Sequence, residues 1–262
     1  MDVFGIDIGG SGIKGAPVDL KRGDLLEERI RIPTPQAPTS EAVVETSLDL
    51  IGRFGWDGPV GVGFPGVIKG GVVHTAANVA KELIGFDLQG RLQREVGNTV
   101  RVVNDADAAG MAEMRWGAGR SVEGTVMMLT LGTGIGTALF TQGKLMPNTE
   151  FGHLLIRKRE AELRASDRIR KQEDLSWKKW AERLNEYLAT MEVLFWPDLI
   201  IVGGGVSKKA DKFVPKLETR AKIVPAQMMN IAGIAGAALA PEAFPRSAPR
   251  VATPGWRRIA VP

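Results

Sequence analysis

The amino-acid sequence predicts an α/β protein, because short runs rich in β-branched residues alternate with longer segments of helical periodicity. Two pairs of short runs are each joined by a glycine-rich turn, which is typical of a β-hairpin. The first pair is 3–8 and 13–20, and the second pair is 125–131 and 136–141. Since both hairpins follow one plan, the pattern indicates an internal duplication.

The remaining elements follow from apolar periodicity and from helix start and stop signals. Further strands are predicted at 26–32, 60–64, 100–103 and 199–202. Helices are predicted at 41–54, 105–116, 160–172, 176–196 and around 230–240. Ser40 is the expected N-cap of the first helix. From Pro241 the prolines are mixed with arginine and alanine, which predicts a flexible tail over 241–262, outside the fold.

The composition is that of an ordinary globular enzyme, with 262 residues, 44% hydrophobic and 24% charged, enough for one large domain or two lobes. No apolar run approaches the roughly 20 residues that a membrane span requires. The chain has no cysteine, which excludes disulfides and thiolate metal sites. Its first residues continue directly into a strand pattern without a signal peptide. We therefore expect a cytoplasmic protein with no membrane role.

The positive charge is concentrated in one segment. The whole chain has a net charge of +4, and residues 157–183 alone carry ten Lys/Arg against six Asp/Glu. Two interpretations are open. The segment is a solvated helix face, or it is a surface that binds a long polyanion by the same electrostatic attraction that binds nucleic-acid backbones. Nucleic acid itself is not an expected partner, because no recognition motif is present.

The first glycine turn is a candidate phosphate site. A turn of this kind presents backbone N–H groups and a nearby cation together, which suits phosphate oxygens. The candidate donor-binding residues here are Asp7, Gly9, Gly10, Ser11, Gly12 and Lys14. Asp7 could also position Mg²⁺ indirectly. The alternative is an ordinary glycine hairpin without a ligand.

Two further glycine turns strengthen the phosphate interpretation. Their candidate residues are Gly132, Thr133 and Gly134 in the second turn, and Gly203, Gly204 and Gly205 in the third. Glycine hairpins from the two halves of the chain could close on one polyphosphate from both sides. The third turn follows a buried strand and could offer amides at a helix N-terminus, although a plain strand-to-helix turn is the alternative.

Acidic residues near the predicted strand ends are candidates for catalysis and sugar binding. Asp105 follows a predicted strand, where an acid can point into a ligand crevice, so it is the candidate general base; an N-cap is the alternative. Glu150 and His153 lie three residues apart and could bind sugar hydroxyls. His153 could instead be a metal ligand or a packed histidine. A zinc site is not expected, because His74 is the one other histidine and cysteine is absent.

Six motifs in this order resemble the ROK family of sugar kinases. They are DIGGSGIKG at 7–15, GFPG at 63–66, NDADAAG at 104–110, LTLGTGIGTAL at 129–139, EFGH at 150–153 and GGGVS at 203–207. The resemblance implies the actin-like ATPase (ribonuclease H-like) fold, an α/β architecture of two lobes around a central cleft. The expected lobes are 1–106, joined by the helix at about 230–240, and 107–229.

Within the family the chain is similar to the members that use polyphosphate. The similar stretches are 34–36, 75–79, 147–150 and 223–226. Most other ROK kinases carry a cysteine-rich zinc loop after the EFGH-like motif, and here the chain continues to ELRAS at 162–166 instead. The resemblance implies phosphoryl transfer from inorganic polyphosphate, and also from ATP, to the 6-hydroxyl of glucose, with Mg²⁺ as cofactor. Mannose is a second candidate acceptor, and a homodimer is the expected assembly.

The family's sugar-binding positions correspond to residues of this chain. They are Asn78, Asn104, Asp105, Glu150, His153 and Glu162, with Asp105 matching the base that takes the hydroxyl proton. Two alternatives remain open at this point. One is a strictly ATP-dependent hexokinase or fructokinase, and the other is a non-catalytic ROK-type sugar sensor.

Overall fold

The computed structural model of the chain describes residues 1–35, 39–76 and 81–245. The strands of its first half are β1 (Asp2–Gly9), β2 (Gly12–Asp19), β3 (Asp24–Leu25), β4 (Ile30–Ile32), β5 (Val60–Phe64), β6 (Ile68–Lys69), β7 (Val72–Val73) and β8 (Val100–Asn104). One sheet has the order β3-β2-β1-β5-β8, with β4 also paired to β2, and β6 and β7 form a separate hairpin. In this sheet β1 and β2 are antiparallel, whereas β1, β5 and β8 are parallel.

The second half repeats this arrangement. Its strands are β9 (Thr125–Leu131), β10 (Ile135–Thr141), β11 (Lys144–Met146), β12 (Leu155–Ile156), β13 (Arg159–Glu160), β14 (Leu199–Gly203) and β15 (Lys222–Pro225). The second sheet has the order β11-β10-β9-β14-β15, and β12 pairs with β13 apart from it. Here too an antiparallel hairpin is followed by two parallel strands. The internal duplication that the sequence indicated is therefore present in the topology.

The helices form layers around the two sheets. They are α1 (Ser40–Arg53), α2 (Leu88–Val96), α3 (Asp105–Trp116), α4 (Glu162–Ala165), α5 (Asp167–Gln172), α6 (Trp177–Phe195), α7 (Ala210–Phe213), α8 (Ala232–Ala238) and α9 (Ala240–Ala243). Helices α1 and α2 cover the outer face of the first sheet, and α6 covers the outer face of the second. Helices α3 and α8 pack between the sheets. Within the described ranges, no helix combines the length and apolar character needed to cross a membrane.

The alternation of side chains along β1 explains how the first sheet packs. Phe4 and Ile6 are fully buried in the outer core against α1 and α2. On the inner face, a Cβ at Gly5 would overlap the carbonyl group of Ile234, so glycine allows α8 to lie directly on the strand. The next inner residue is Asp7, which lies against Gly233 at the start of α8. The same alternation that buries the strand thus brings a carboxylate to the end of the sheet.

Two predicted elements are broken in the structure. The strand expected at 26–32 forms only at its end, as β4, and residues 26–29, which include the exposed Glu27 and Glu28, are not in a strand. β3 lies before the predicted range, and β3 and β4 pair separately with β2. The helix expected at 160–172 is divided into β13, α4 and α5. The break is at Ser166, whose backbone is extended (ψ 158°) and whose hydroxyl accepts a hydrogen bond from Ile169 N, starting α5. A capping serine thus ends one helix and begins the next.

Two predicted boundaries are also wrong. Thr39, not Ser40, is the N-cap of α1, since its Oγ1 accepts a hydrogen bond from Ala42 N at 3.2 Å. The predicted tail begins too early, because Pro241 is buried at the start of α9, where proline is compatible with a helix. Arg101 Nε donates to Phe244 O at 2.7 Å and holds this segment on the sheet. Residues 246–262 lie outside the described part of the chain.

Candidate active site

Strand residues on either side of the first glycine turn meet the third glycine turn at one cavity. Its volume is about 310 Å³, and its lining includes Asp7, Lys14, Gly204 and Gly205. Asp7 and Lys14 are cross-strand partners in the β1–β2 hairpin, and Lys14 Nζ lies 3.3 Å from Asp7 Oδ2. A carboxylate, a cation and exposed backbone amides therefore face the same space, as expected for a phosphate donor site.

The turn itself is held by side chains that the sequence analysis missed. Gly9, Gly10, Ser11 and Gly12 connect β1 to β2 without being among the residues that line the cavity. Thr34 Oγ1 donates to Gly9 O at 2.6 Å, and the Arg31 guanidinium donates to Ser11 O. Both carbonyls thus accept hydrogen bonds from side chains, which fix the conformation of the turn.

A second and larger cavity lies on the other side of the third turn. Its volume is about 530 Å³, and its lining includes Gly132, Thr133 and Gly205. Because Gly205 lines both cavities, the third turn separates them. Gly203 is buried at the end of β14. Gly134 lies against Glu162, whose Oε2 accepts a hydrogen bond from Ile135 N at 3.3 Å. The second turn thus borders a candidate sugar-binding residue as well as the larger cavity.

Asp105 lies at the junction between β8 and α3. The N-cap of α3 is Asn104, whose Oδ1 accepts hydrogen bonds from Ala106 N (2.8 Å) and Asp107 N (3.0 Å). Capping, the alternative role for Asp105, is therefore performed by its neighbour. Burial raises the pKa of Asp105 to about 7, and the negative charges of Asp7 and Glu150 add to the effect. A carboxyl with a pKa near neutrality can exchange a proton at physiological pH.

The other candidate sugar-binding residues converge beside Asp105. Asn104 Nδ2 donates to Glu150 Oε1 at 3.2 Å, and His153 Nε2 lies 3.8 Å from Glu150 Oε2. Burial raises the pKa of Glu150. Burial alone would lower the pKa of His153, but a hydrogen bond with Glu160 and the charges of nearby carboxylates raise it. Asn78 belongs to the segment 77–80, which lies outside the described residues.

Glu160 is a further member of this cluster that the sequence analysis missed. Its Oε2 lies 3.1 Å from His153 Nδ1. Ligand atoms of His153, Glu160 and Glu162 all lie within 4.8 Å of one another, close enough to surround a metal ion. The expectation of no zinc site stays a prediction, and hydroxyl groups of a sugar are the alternative occupant of the same polar atoms.

Asp107 and Asn148 connect the site to both halves of the chain, and neither was predicted. Asp107 Oδ2 accepts a hydrogen bond from Asn148 N at 2.7 Å. Asn148 in turn accepts from Ile68 N at 2.8 Å and donates to Ile68 O at 2.9 Å. Burial raises the pKa of Asp107 to about 7. This chain of bonds fixes the segment that leads into Glu150.

The two sheets have one topology, and each has a glycine hairpin; a half-buried acid lies between them. This is the actin-like ATPase fold predicted from the sequence. A family model described as "ROK family" matches residues 3–165. The chain belongs to the ROK family, which confirms the resemblance seen in its motifs.

Individual relatives agree with this assignment. A polyphosphate glucokinase of Mycobacterium tuberculosis is 51% identical over 238 residues, covering 90% of this chain and 90% of that protein. The crystal structure of an inorganic polyphosphate/ATP-glucomannokinase from Arthrobacter sp. strain KM has a TM-score of 0.86 and 51% identity, covering 91% of this chain and 97% of that chain. A ROK family glucokinase from Streptomyces griseus, in complex with glucose and AMPPNP, has a TM-score of 0.79 and 27% identity, covering 92% and 100%.

Proposed function

We propose that this protein is a glucokinase that transfers a phosphoryl group from inorganic polyphosphate, and also from ATP, to the 6-hydroxyl of glucose. The observation that carries the proposal is the position of Asp105 between two groups of residues. Asp105 lies close enough to Glu150, which is bonded to Asn104, and to Asp7, which lines the donor cavity, for both charges to raise its pKa. The names of the mycobacterial and Arthrobacter relatives support polyphosphate as donor and glucose as acceptor.

The mechanism follows from the nature of phosphoryl transfer. The transition state is loose, so the protein mainly aligns donor and acceptor and neutralises charge. Asn104, Glu150, His153 and Glu162 bind the sugar hydroxyls, and Asp105 orients the 6-hydroxyl and accepts its proton. Lys14 and the amides of the glycine turns stabilise the phosphoryl oxygens.

Asp7 fits a role beside magnesium. Mg²⁺ in phosphate sites is held by one or two carboxylates together with phosphate oxygens and water. Asp7 is partly buried, lines the donor cavity and lies close enough to Asp105 to raise the pKa of that carboxyl. When bound there, the ion would neutralise charge on the donor phosphates. Asp7 would hold it indirectly, while Lys14 supplies the neighbouring positive charge.

Donor choice is tested with purified protein, glucose and either long-chain polyphosphate or ATP. We expect glucose 6-phosphate from both donors, because the donor cavity presents amides and cations that recognise phosphate alone. Mannose and fructose are assayed beside glucose. Absence of transfer from polyphosphate would leave the strictly ATP-dependent hexokinase or fructokinase, and absence of transfer from either donor would leave the sugar sensor.

The acid limb of the pH profile is a second test. Because the pKa of Asp105 is about 7, the deprotonated form that accepts the hydroxyl proton is lost as the pH falls through that value. We expect log(kcat/KM) to decrease with unit slope below about pH 7 for both donors. A profile that stays flat down to pH 5 would contradict the assignment of Asp105 as the base.

Assembly, location and lobe boundaries are also proposals. We propose a cytoplasmic homodimer with lobes at 1–106 and 107–229, the first completed by the helical segment near 230–240. The packing of α8 on β1 and β5 supports the last point. Light scattering after size-exclusion chromatography tests the assembly, and a monomeric mass would reject it.

A further inference from the structure

The larger cavity has a strongly cationic lining. Arg168, Arg170, Lys171 and Lys209 line it, against one carboxylate, Asp167. Val206 supplies apolar surface, and no aromatic side chain is present among the described residues that line it. A purine base prefers stacking and apolar contact, whereas a run of phosphates prefers cations and amides. The lining therefore suits a polyanion better than a nucleoside.

Two of these cations have no carboxylate partner in the part of the chain that the structure describes. Asp167 accepts Arg170 Nε at 2.8 Å and lies 2.7 Å from Lys171 Nζ. Within the described ranges, neither Arg168 nor Lys209 forms an ion pair, and the buried Arg168 Nε has no hydrogen-bond partner. Arg168 N donates to Gly132 O at 3.0 Å, which fixes this residue beside the second glycine turn. The unmatched charge thus lies next to candidate phosphate-binding amides.

The larger cavity adjoins the donor cavity across the third glycine turn. The smaller cavity contains Lys14, Arg29 and Lys208, and Gly205 lines both spaces. Cations therefore follow the third glycine turn on both sides, from Lys14 to Lys209. A flexible linear polyphosphate could contact the cations of both cavities, whereas ATP has only three phosphates.

Three other arginines of the basic segment 157–183 form ion pairs with glutamates. Arg157 and Arg164 both pair with Glu186, and Arg183 pairs with Glu173. None of these three arginines is among the residues that line either cavity. Part of the basic segment is therefore a surface of ion pairs, and part of it lines the larger cavity.

We propose that the larger cavity is a second phosphate-binding subsite, which holds the phosphates of polyphosphate that lie beyond those at the transfer site. The inference rests on the proposed function and deepens it by assigning the subsite to Arg168 and Lys209. Each phosphate neutralised there releases condensed counterions, so long chains gain affinity that short donors do not. The subsite favours polyphosphate over ATP without any change at Asp105.

The test compares Lys209→Ala and Arg168→Gln with Lys178→Ala, which removes the same charge from an exposed lysine outside both cavities. KM is measured for long-chain polyphosphate, tripolyphosphate and ATP at saturating glucose. We expect the ratio of KM for long-chain polyphosphate to KM for ATP to rise about tenfold in each cavity variant, and to stay within about twofold in Lys178→Ala. In the two cavity variants, the KM for long-chain polyphosphate should change less with salt concentration than in the wild type.

Direct binding separates this proposal from the proposed function. Titration calorimetry of long-chain polyphosphate without glucose should show the same tenfold loss in Lys209→Ala. An unchanged ratio and unchanged binding would overturn the subsite, and so would an equal rise for ATP and polyphosphate. If the wild type binds long chains through Lys209 but transfers no phosphoryl group from them, the subsite stands and the proposed function fails. The kcat with ATP and the thermal midpoint report whether each variant is folded.

Discussion

Asp105→Asn is expected to lower kcat about a thousandfold while glucose still binds. Positioned proton transfer contributes typically 10²–10⁴-fold, and the amide keeps the size and hydrogen-bonding reach of the carboxylate while it cannot accept the proton. Asn104 and Glu150 remain in place to hold the sugar, since their mutual hydrogen bond does not involve Asp105. The measurements are kcat with each donor and the dissociation constant for glucose by calorimetry.

Stability to urea shows whether the loss of kcat in Asp105→Asn comes from the chemistry or from unfolding. The pKa of Asp105 is raised from 3.8 to about 7 on folding, so between these values the folded state holds a proton that the unfolded state has lost. This carboxyl therefore destabilises the fold increasingly as the pH rises through the window, and fully above pH 7. Asp105→Asn should be more resistant to urea than the wild type at pH 8. Asp211→Asn, at an exposed position, is the control and should have the kcat and the urea resistance of the wild type. A normal kcat for Asp105→Asn would contradict the assignment of Asp105 as the base.

Gly236→Ala is expected to destabilise the fold by about 3 kcal/mol. A Cβ at Gly236 would overlap the carbonyl group of Ala108, where α8 crosses α3 between the two sheets. Alanine normally gains about 0.5–1 kcal/mol over glycine in a helix, but a backbone group in a packed layer cannot move aside as a flexible side chain can. The free energy of unfolding in urea measures the effect.

Gly52→Ala is the matched control, because it makes the same change in α1, where no atom of the described residues lies within 4 Å of the new Cβ. Its stability should be unchanged or slightly increased. Equal stability of Gly236→Ala and Gly52→Ala would show that α8 and α3 are not held as closely as the structure places them.

The elements that local sequence determines were predicted well. Both glycine hairpins, α3 and α6 fall within one or two residues of their predicted limits, because their apolar period and capping residues lie within the element itself. Asp105 could be selected for the same reason: it follows a buried strand and begins a helix. The wrong predictions at Ser166 and at 26–29 overlooked local signals, namely a capping serine and two adjacent charged residues.

The parts of the site that sequence could not supply depend on contacts between distant segments. Thr34 bonds to Gly9 across 25 residues, and Asn148 bonds to Ile68 across 80 residues. Such pairings are decided by how the sheets pack, and a single sequence contains no periodic signal for them. The basic segment illustrates the same limit, since composition shows its charge but only the fold shows that Arg168 lines the larger cavity and Arg157 does not.

The packing of α8 on β1 has a consequence for how the protein is made. Strand β1 is synthesised before the other strands of its sheet, yet the helix that covers its inner face is synthesised after all strands of the second sheet. Glu113 of α3 accepts the N–H groups of Gln227 and Met228, just ahead of that helix. We therefore expect the second half to fold before the first is completed, with the inner face of the strand that carries Asp7 left uncovered until α8 has been synthesised.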